Sequence, residues 1–173
     1  IHESIGHSNT ILGLVGDTSK LDSDLIAALD IVESVKRVQE PYKNANRKFH
    51  PEDTVIDLGC TTIGGDNLTI MAGPCSVETE EQVVAIAKAV KESGATMLRG
   101  GAFKPRTSPY SFQGLGERGL EILKVARQET GLPIVTELMD LSQLPLFKDV
   151  DVIQIAASNM QNCDPLKAVA HQN

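Results

Sequence analysis

The sequence predicts an α/β fold in which a parallel sheet of four strand–helix units follows a smaller α+β segment. From residue 68 onward, short apolar runs of strand length alternate with amphipathic runs of helix length, an order typical of parallel sheets. The 173 residues suffice for one medium-sized domain, or for a small domain plus part of a larger one. Because 41% of the residues are hydrophobic but only 3% are aromatic, we expect an aliphatic core.

The N-terminal segment has a different pattern, which predicts a small α+β module. Residues 10–16 predict a strand that ends in a turn, residues 22–29 a short helix, and residues 32–38 a half-buried strand, because apolar and polar side chains alternate there. Since such a fragment is too small to be stable alone, we interpret residues 1–40 as part of a small domain. Residues 41–53 are polar and contain two prolines, so we interpret them as a linker.

Residues 54–173 are interpreted as the larger domain, and its elements have local signals. Two short apolar runs at 55–58 and 61–63, separated by a turn that contains glycine, predict a small hairpin or lid. Thr79, with Gln82 three residues later, forms a capping-box signature that begins the first long helix. Strands are predicted at 68–72, 97–101, 133–138 and 152–156, and helices at 79–93, 117–130, 141–148 and 164–170.

Polar residues collect where the predicted strands end, which indicates a functional edge. They are residues 73–76, the loop 99–116, Glu137 and residues 158–162, which follow strands one to four in turn. Functional groups beyond the carboxyl ends of parallel strands are typical of a TIM-barrel active face or of a doubly wound crevice. No glycine-rich dinucleotide fingerprint follows the first strand, and this favours the barrel. Because a full barrel takes roughly 250 residues, we expect only the first half of a TIM (β/α)8 barrel.

The second predicted strand and the loop after it carry three cations, Arg99, Lys104 and Arg106, within eight residues. Pro105 and Pro109 exclude a regular helix there, because each removes a backbone donor and fixes φ. A guanidinium fork and a compact ammonium group together suit a small polyanion, most naturally a phosphorylated one. The alternative is a solvated basic loop, and it is weakened because the positive charge is concentrated within a chain of net charge −7.

The net charge of −7 argues against nucleic acid or an anionic membrane as a partner. No apolar run is long enough to span a bilayer. Cys60, Cys75 and Cys163 are odd in number and widely spaced, which favours reduced thiols in a cytoplasm over a disulfide framework. The composition therefore favours a cytoplasmic protein with a small anionic ligand.

Two candidate site residues have ordinary alternatives. Cys75 follows the first strand of the sheet, opposite the cationic loop, and its thiol is either a metal ligand or an inert buried group. Glu137 is either a surface charge at a strand end or part of the site, and its position at the functional edge favours the site. The isolated histidines lack metal-ligand spacing and are interpreted as surface or loop residues: His2, His7 and His50.

Several segments resemble the 3-deoxy-D-arabino-heptulosonate-7-phosphate (DAHP) synthases, in particular the type with a ferredoxin-like regulatory domain before the barrel. The loop 98–116 is the most specific of them, and residues 49–59 resemble the linker of that type. The remaining matching segments are 72–78, 135–137, 154–155 and 159–162. A sister family, the 3-deoxy-D-manno-octulosonate-8-phosphate synthases, shares the Gly-Pro-Cys element but lacks the Lys-Pro-Arg-Thr-Ser loop.

The resemblance implies an aldol-type condensation of phosphoenolpyruvate with erythrose 4-phosphate, the first step of the shikimate route to aromatic amino acids. It also implies a divalent metal of the Mn, Fe, Co or Zn class, a homo-oligomer, and in some members a chorismate mutase partner. Carried over residue by residue, the resemblance implies that Cys75 is a metal ligand. It implies that Arg99 and Lys104 are catalytic residues that hold phosphoenolpyruvate and that Glu137 lies in the same site. The residues that it places on erythrose 4-phosphate are Lys104, Pro105, Arg106 and Thr107.

Two features depart from the family pattern. Ser158 stands where the family has an arginine that contacts phosphate, and a hydroxyl replaces neither its charge nor its bidentate geometry. The family's remaining metal ligands and a later Lys-Arg pair have no match up to residue 173. The chain begins at Ile1 rather than at an initiator methionine. We therefore expect a chain truncated at both ends.

Three hypotheses follow from this pattern. The chain is a portion of an active DAHP synthase, a catalytically inactive copy that binds anions or a partner, or an aldol-type transferase related to the octulosonate synthases. In each case we expect the 173-residue chain alone to lack synthase activity, because Cys75 by itself cannot hold a catalytic metal.

Overall fold

The computed structural model describes residues 1–37, 42, 45–48 and 50–172, which form two compact units, Ile1–Thr54 and Val55–Asn173. The strands are β1 (His2–Ile5), β2 (Thr10–Gly13), β3 (Ile56–Asp57), β4 (Thr62–Ile63), β5 (Met71–Ala72), β6 (Met97–Arg99), β7 (Ile134–Glu137) and β8 (Val152–Gln154). The α-helices are α1 (Ser23–Ala27), α2 (Glu80–Glu92), α3 (Glu117–Thr130) and α4 (Cys163–Ala170), and 3-10 helices span Leu141–Phe147 and Ala157–Asn159. Within the described residues, no helix combines the length and apolar character needed to cross a membrane.

The first unit contains an antiparallel hairpin and a short helix. Strands β1 and β2 pair in a register that sets Ile5 opposite Thr10. Helix α1 begins after Asp22, whose carboxylate accepts hydrogen bonds from the backbone N–H groups of Asp24 and Leu25 at 3.0 and 3.3 Å. The predicted strand at 10–16 and helix at 22–29 are therefore present in shorter form, whereas β1 was not predicted, because its sequence is mostly polar.

The strand predicted at 32–38 is wrong over residues 32–37, which have no regular structure. Ile31 is 92% exposed and Val35 is 37% exposed. Alternation creates a strand only where a neighbouring strand and a surface to cover are available, and the described part of this unit pairs only β1 with β2. Val38 and linker positions 41, 43, 44 and 49 lie outside the described residues.

The second unit begins with the predicted hairpin. Strands β3 and β4 pair antiparallel with Ile56 opposite Ile63, and the N–H of Leu58 donates to the carbonyl of Thr61 at 2.9 Å. Gly59 has a φ of 81°, the left-handed conformation that the tight turn requires.

A four-stranded parallel sheet follows, in the order β5–β6–β7–β8, as the alternating pattern predicted. Strand β5 is shorter than the predicted 68–72, and Leu68 is 82% exposed. The helix predicted at 141–148 is a 3-10 helix, Leu141–Phe147, with Pro145 inside it. Because proline has no N–H to donate, this segment cannot form a regular α-helical ladder.

Helices α2 and α3 cover one face of the sheet. Thr79 Oγ1 accepts a hydrogen bond from the N–H of Gln82 at 3.2 Å, but the Gln82 side chain accepts from Glu78 rather than from Thr79, so the predicted capping box forms only in part. The core under the two helices is aliphatic, as predicted, and includes Val83, Ala87, Leu98, Leu123, Ala126 and Ile134.

The alternation of side chains along the strands separates the core from the functional edge. Leu98 and Ile134 pack against the helices, and Ile153 packs against a second core cluster around Phe147. Successive side chains of a strand point to opposite faces, so Arg99 and Gln154 face away from the helices, at the carboxyl ends of β6 and β8.

Candidate active site

The Arg99 guanidinium contacts groups from three other strand ends. Its Nε donates to Gln154 Oε1 at 3.1 Å, and one terminal nitrogen donates to the backbone carbonyl of Cys75 at 3.2 Å. The other terminal nitrogen lies 3.5 Å from a carboxylate oxygen of Glu137. The side chains of Arg99 and Glu137 are 23% and 13% exposed, so this ion pair is largely shielded from water. The carboxyl edge of the sheet therefore fixes one cation.

Lys104 places a second cation beside the first. The residue is only 9% exposed, and its Nζ donates to the Cys75 carbonyl at 2.6 Å and to Cys75 Sγ at 3.1 Å. The loop that carries it is held by a hydrogen bond from the Lys104 N–H to the carbonyl of Gln113 at 2.9 Å. A buried ammonium group needs hydrogen-bonding partners, and here Cys75 supplies both of them.

The Cys75 thiol is acidified by these neighbours. The hydrogen bond from the Lys104 ammonium and its positive charge lower the pKa of Cys75, Arg99 adds to the effect, and partial burial opposes it. The residue is exposed and is not in a disulfide. A thiolate is the form of cysteine that binds metals and reacts with electrophiles, so this side chain is chemically available.

Two glycines allow the loops to meet. A Cβ on Gly101 would lie 2.5 Å from the Cys75 carbonyl oxygen and 3.2 Å from Lys104 Nζ. A Cβ on Gly73 would lie 2.0 Å from the carbonyl oxygen of Arg99, and Gly73 has a φ of 154°. Any side chain at either position would separate Cys75 from the cations, so the glycines maintain the geometry of the site.

Family models match both units of the chain. The model of the DAHP synthetase I family matches residues 46–173. The chain belongs to this family. A second model, the DAHP synthase ferredoxin-like domain, matches residues 1–40. These matches confirm the resemblance that the motifs indicated.

Curated and solved relatives agree with this assignment. The chain is 52% identical over 162 residues to phospho-2-dehydro-3-deoxyheptonate aldolase of Thermotoga maritima, covering 93% of this chain and 48% of the relative. A crystal structure of DAHP synthase from the same organism superposes with a TM-score of 0.69 at 51% identity, covering 93% of this chain and 47% of that chain. The chain thus spans about half the length of these relatives, and the superposition confirms the predicted half-barrel fold class.

A more distant relative carries the name of the sister enzyme. The chain is 39% identical over 122 residues to 2-dehydro-3-deoxyphosphooctonate aldolase of Syntrophotalea carbinolica, covering 65% of this chain and 44% of the relative.

The structure joins some of the residues expected in the site but not all of them. Cys75, Arg99, Lys104 and Glu137 are linked by the contacts given above, and with Gln154 they are called the site cluster below. Pro105, Arg106 and Thr107 are exposed, and within the described residues none of them makes a hydrogen bond or ion pair with the site cluster. Ser158 is exposed in the 3-10 helix that follows β8.

The contact of Gln154 with Arg99 was not predicted, although its segment belongs to the matching motifs. The available signal was a polar residue at the end of a predicted strand; the structure shows that β8 is partly buried and that Gln154 lies opposite Glu137 in register.

The fit of a divalent metal rests on Cys75 alone. Its acidified thiol is a donor that transition metals accept. In the described part of the chain, no three His, Cys, Asp or Glu side chains come together at one point. Cys75 therefore fits as one ligand of a metal, and the described residues form no complete metal site.

Proposed function

We propose that this chain forms part of a DAHP synthase, a transferase that condenses phosphoenolpyruvate with erythrose 4-phosphate. The observation that carries the proposal is the convergence of Arg99 and Lys104 on one carbonyl oxygen, at 3.2 and 2.6 Å, beside the Cys75 thiol. Family membership supports the same reaction. From the family we also propose a cytoplasmic, homo-oligomeric enzyme of aromatic amino acid biosynthesis.

In this proposal the two cations bring together substrates that repel each other. Phosphoenolpyruvate carries a phosphate and a carboxylate, and the aldose carries a second phosphate. Arg99 and Lys104 bind phosphoenolpyruvate, and their fixed positions reduce the electrostatic and entropic cost of the encounter. The exposed segment of Pro105, Arg106 and Thr107 extends from Lys104 and binds the aldose phosphate. Glu137 orients Arg99 through their ion pair.

Cys75 would hold a divalent metal of the Mn, Fe, Co or Zn class as one of its ligands. Such an ion would act as a Lewis acid toward the aldehyde oxygen. The protein's own contribution at this position is the Lys104 ammonium, which lowers the pKa of the Cys75 thiol and so favours its anionic, ligating form.

Calorimetry with phosphoenolpyruvate tests the binding half of the proposal. We expect the whole chain to bind phosphoenolpyruvate and the Arg99→Met variant to lose at least about tenfold in affinity, because a charge-assisted contact is worth about 1.5–3 kcal/mol. Absence of binding by the parent chain contradicts the proposal. We also expect no turnover by the 173 residues alone, since the described residues supply a single metal ligand.

The second candidate is an octulosonate-type enzyme, which the Syntrophotalea relative favours. The product names distinguish the two reactions, because adding three carbons from phosphoenolpyruvate gives a seven-carbon product from a four-carbon aldose and an eight-carbon product from a five-carbon aldose. The chain can be assembled with the carboxyl half of the Thermotoga maritima relative and assayed with each aldose phosphate. Turnover confined to erythrose 4-phosphate supports the first candidate, and turnover confined to the five-carbon substrate supports the second.

A further inference from the structure

We propose that Gln154 is a positioning residue that fixes the rotation of the Arg99 guanidinium and leaves an N–H on each terminal nitrogen available to bind an oxyanion. The inference rests on the proposed function, because it names the group that prepares Arg99 for phosphoenolpyruvate. Its direct support is the hydrogen bond from Arg99 Nε to Gln154 Oε1, at 3.1 Å, between two partly buried side chains.

The strand register explains how Gln154 reaches Arg99. Arg99 is paired with Val135 on β7, and Glu137, two residues further along β7, is paired with Gln154 on β8. The arginine side chain therefore extends diagonally across β7 to meet β8. Ile153 packs in the core behind the sheet, which holds Gln154 on the face that Arg99 occupies.

The donors of Arg99 can be counted. A guanidinium has five N–H donors, one on Nε and two on each terminal nitrogen. Gln154 takes the Nε donor, the Cys75 carbonyl takes one donor of a terminal nitrogen, and Glu137 lies beside the other terminal nitrogen. At least one N–H therefore remains on each terminal nitrogen, and a pair of N–H groups on the two terminal nitrogens can bind a carboxylate or phosphate in bidentate form.

The neutrality of the glutamine amide is as important as its position. Glu137 already places one carboxylate 3.5 Å from the guanidinium. A second carboxylate at position 154 would hold Arg99 equally well but would cancel the positive charge that attracts a phosphorylated substrate. An amide oxygen orients the guanidinium without this loss, so Gln154 supplies geometry and preserves charge.

The test compares two substitutions at this position in the whole chain. Gln154→Leu removes the acceptor, and Gln154→Glu keeps an acceptor but adds a negative charge. Gln128→Leu, on the exposed face of α3, is the matched control. The first measurement is the NMR signal of the Arg99 Nε–H group, assigned by its absence in Arg99→Lys, together with its exchange rate with water. The second is calorimetric binding of phosphoenolpyruvate at constant salt.

In Gln154→Leu we expect the Arg99 Nε–H signal to shift, its exchange to become about tenfold faster, and phosphoenolpyruvate to bind about tenfold more weakly. In Gln154→Glu we expect the Nε–H signal to stay protected while binding still weakens about tenfold. The control should match the parent chain in both measurements. If Gln154→Leu does not fold, as its backbone amide spectrum would show, the protected signal and weakened binding of Gln154→Glu decide the question.

An Arg99 Nε–H signal that is unchanged in Gln154→Leu overturns the inference, whatever the affinity for phosphoenolpyruvate. Unweakened binding by Gln154→Glu overturns the argument from charge. If the parent chain does not bind phosphoenolpyruvate, the proposed function fails instead, and the comparison of Nε–H signals still decides whether Gln154 positions Arg99.

Discussion

The two ends of the parallel sheet each carry an arginine and a lysine, but the cations have different partners. At the carboxyl ends, Arg99 and Lys104 contact a carbonyl, an amide and a thiol, with one carboxylate at 3.5 Å. At the amino ends, Arg127 and Lys124 contact carboxylates at 3.0–3.1 Å. A cation paired with carboxylates is neutralised and stabilises the fold, whereas Arg99, which donates to an amide and a carbonyl, keeps charge available for a ligand.

The residues at the amino ends of the sheet connect helix α3 to the first residues of two strands. Asp151 accepts hydrogen bonds from the N–H of Ile134 at 2.7 Å and from Arg127 at 3.0 Å. Arg127 also donates to the backbone carbonyl of Asp149 at 2.9 Å. These contacts fasten α3 to the beginnings of β7 and β8, and we call Lys124, Arg127, Asp149 and Asp151 the strand-start cluster.

The largest expected effect comes from removing the cations of the site cluster. We expect Arg99→Met combined with Lys104→Met to weaken phosphoenolpyruvate binding by at least about a hundredfold, because two charge-assisted contacts are lost. The matched control, Lys124→Met with Arg127→Met in the strand-start cluster, should bind as the parent chain does. Calorimetry measures the affinity of both variants for phosphoenolpyruvate. Equal losses of affinity would contradict the assignment of binding to the carboxyl ends of the sheet.

Substitutions in the strand-start cluster are expected to lower the stability of the fold. Asp151→Ala should lower the free energy of unfolding by about 1–3 kcal/mol, because the Ile134 N–H and the Arg127 guanidinium lose their acceptor. Asp66→Ala, an exposed position next to the β3–β4 hairpin, should change it by less than about 0.5 kcal/mol. Urea unfolding measures both, and a destabilised Asp66→Ala beside an unchanged Asp151→Ala would contradict the assignment of the strand-start cluster to stability.

A third cation at the carboxyl ends of the sheet should increase the affinity of that end for phosphoenolpyruvate. Ser158 is exposed in the 3-10 helix Ala157–Asn159, four residues beyond Gln154 in the chain. If Ser158 replaces a phosphate-binding arginine, Ser158→Arg should strengthen phosphoenolpyruvate binding up to about tenfold. Ser158→Gln, of similar length but neutral, serves as the control. Equal affinities of the two variants would remove position 158 from the binding site.

The smallest expected effect is a change in the pH dependence of Cys75 reactivity. Because the Lys104 ammonium lowers the pKa of the Cys75 thiol, Lys104→Gln should raise that pKa, so alkylation by iodoacetamide should begin at higher pH. The measurement uses a Cys60→Ser, Cys163→Ser background, with Lys124→Gln as the control. An unchanged alkylation profile in Lys104→Gln would show that Lys104 does not stabilise the thiolate.

The sequence predicted the meeting of Cys75, Arg99 and Lys104 for a topological reason. Groups that follow parallel strands share one edge of the sheet, so their proximity requires only the strand order. The motifs of the loop also indicate the family without any structural information. This part of the site depends on backbone direction, which short apolar runs and helix signals indicate well.

Other features depend on contacts between side chains of different helices and strands, and sequence patterns do not reveal these contacts. The reach of Arg99 across β7 to Gln154 requires the register and the rotamer, and the Arg127–Asp151 contact joins residues 24 apart in the chain. The predicted strand was wrong over residues 32–37 because alternation does not create a neighbouring strand. Within the described residues, Arg106 makes no hydrogen bond or ion pair with the site cluster. It lies in an exposed loop, and the amino-acid composition of such a loop does not determine its conformation.

The most direct test of the central claim asks whether phosphoenolpyruvate protects Cys75. The rate of alkylation of each cysteine can be followed by mass spectrometry with and without phosphoenolpyruvate, in the parent chain and in Arg99→Met. If the two cations seat the substrate beside the thiol, phosphoenolpyruvate slows alkylation of Cys75 but not of Cys60 or Cys163, and the protection is lost in Arg99→Met. Equal rates at Cys75 with and without phosphoenolpyruvate, or protection that survives in Arg99→Met, would contradict the account.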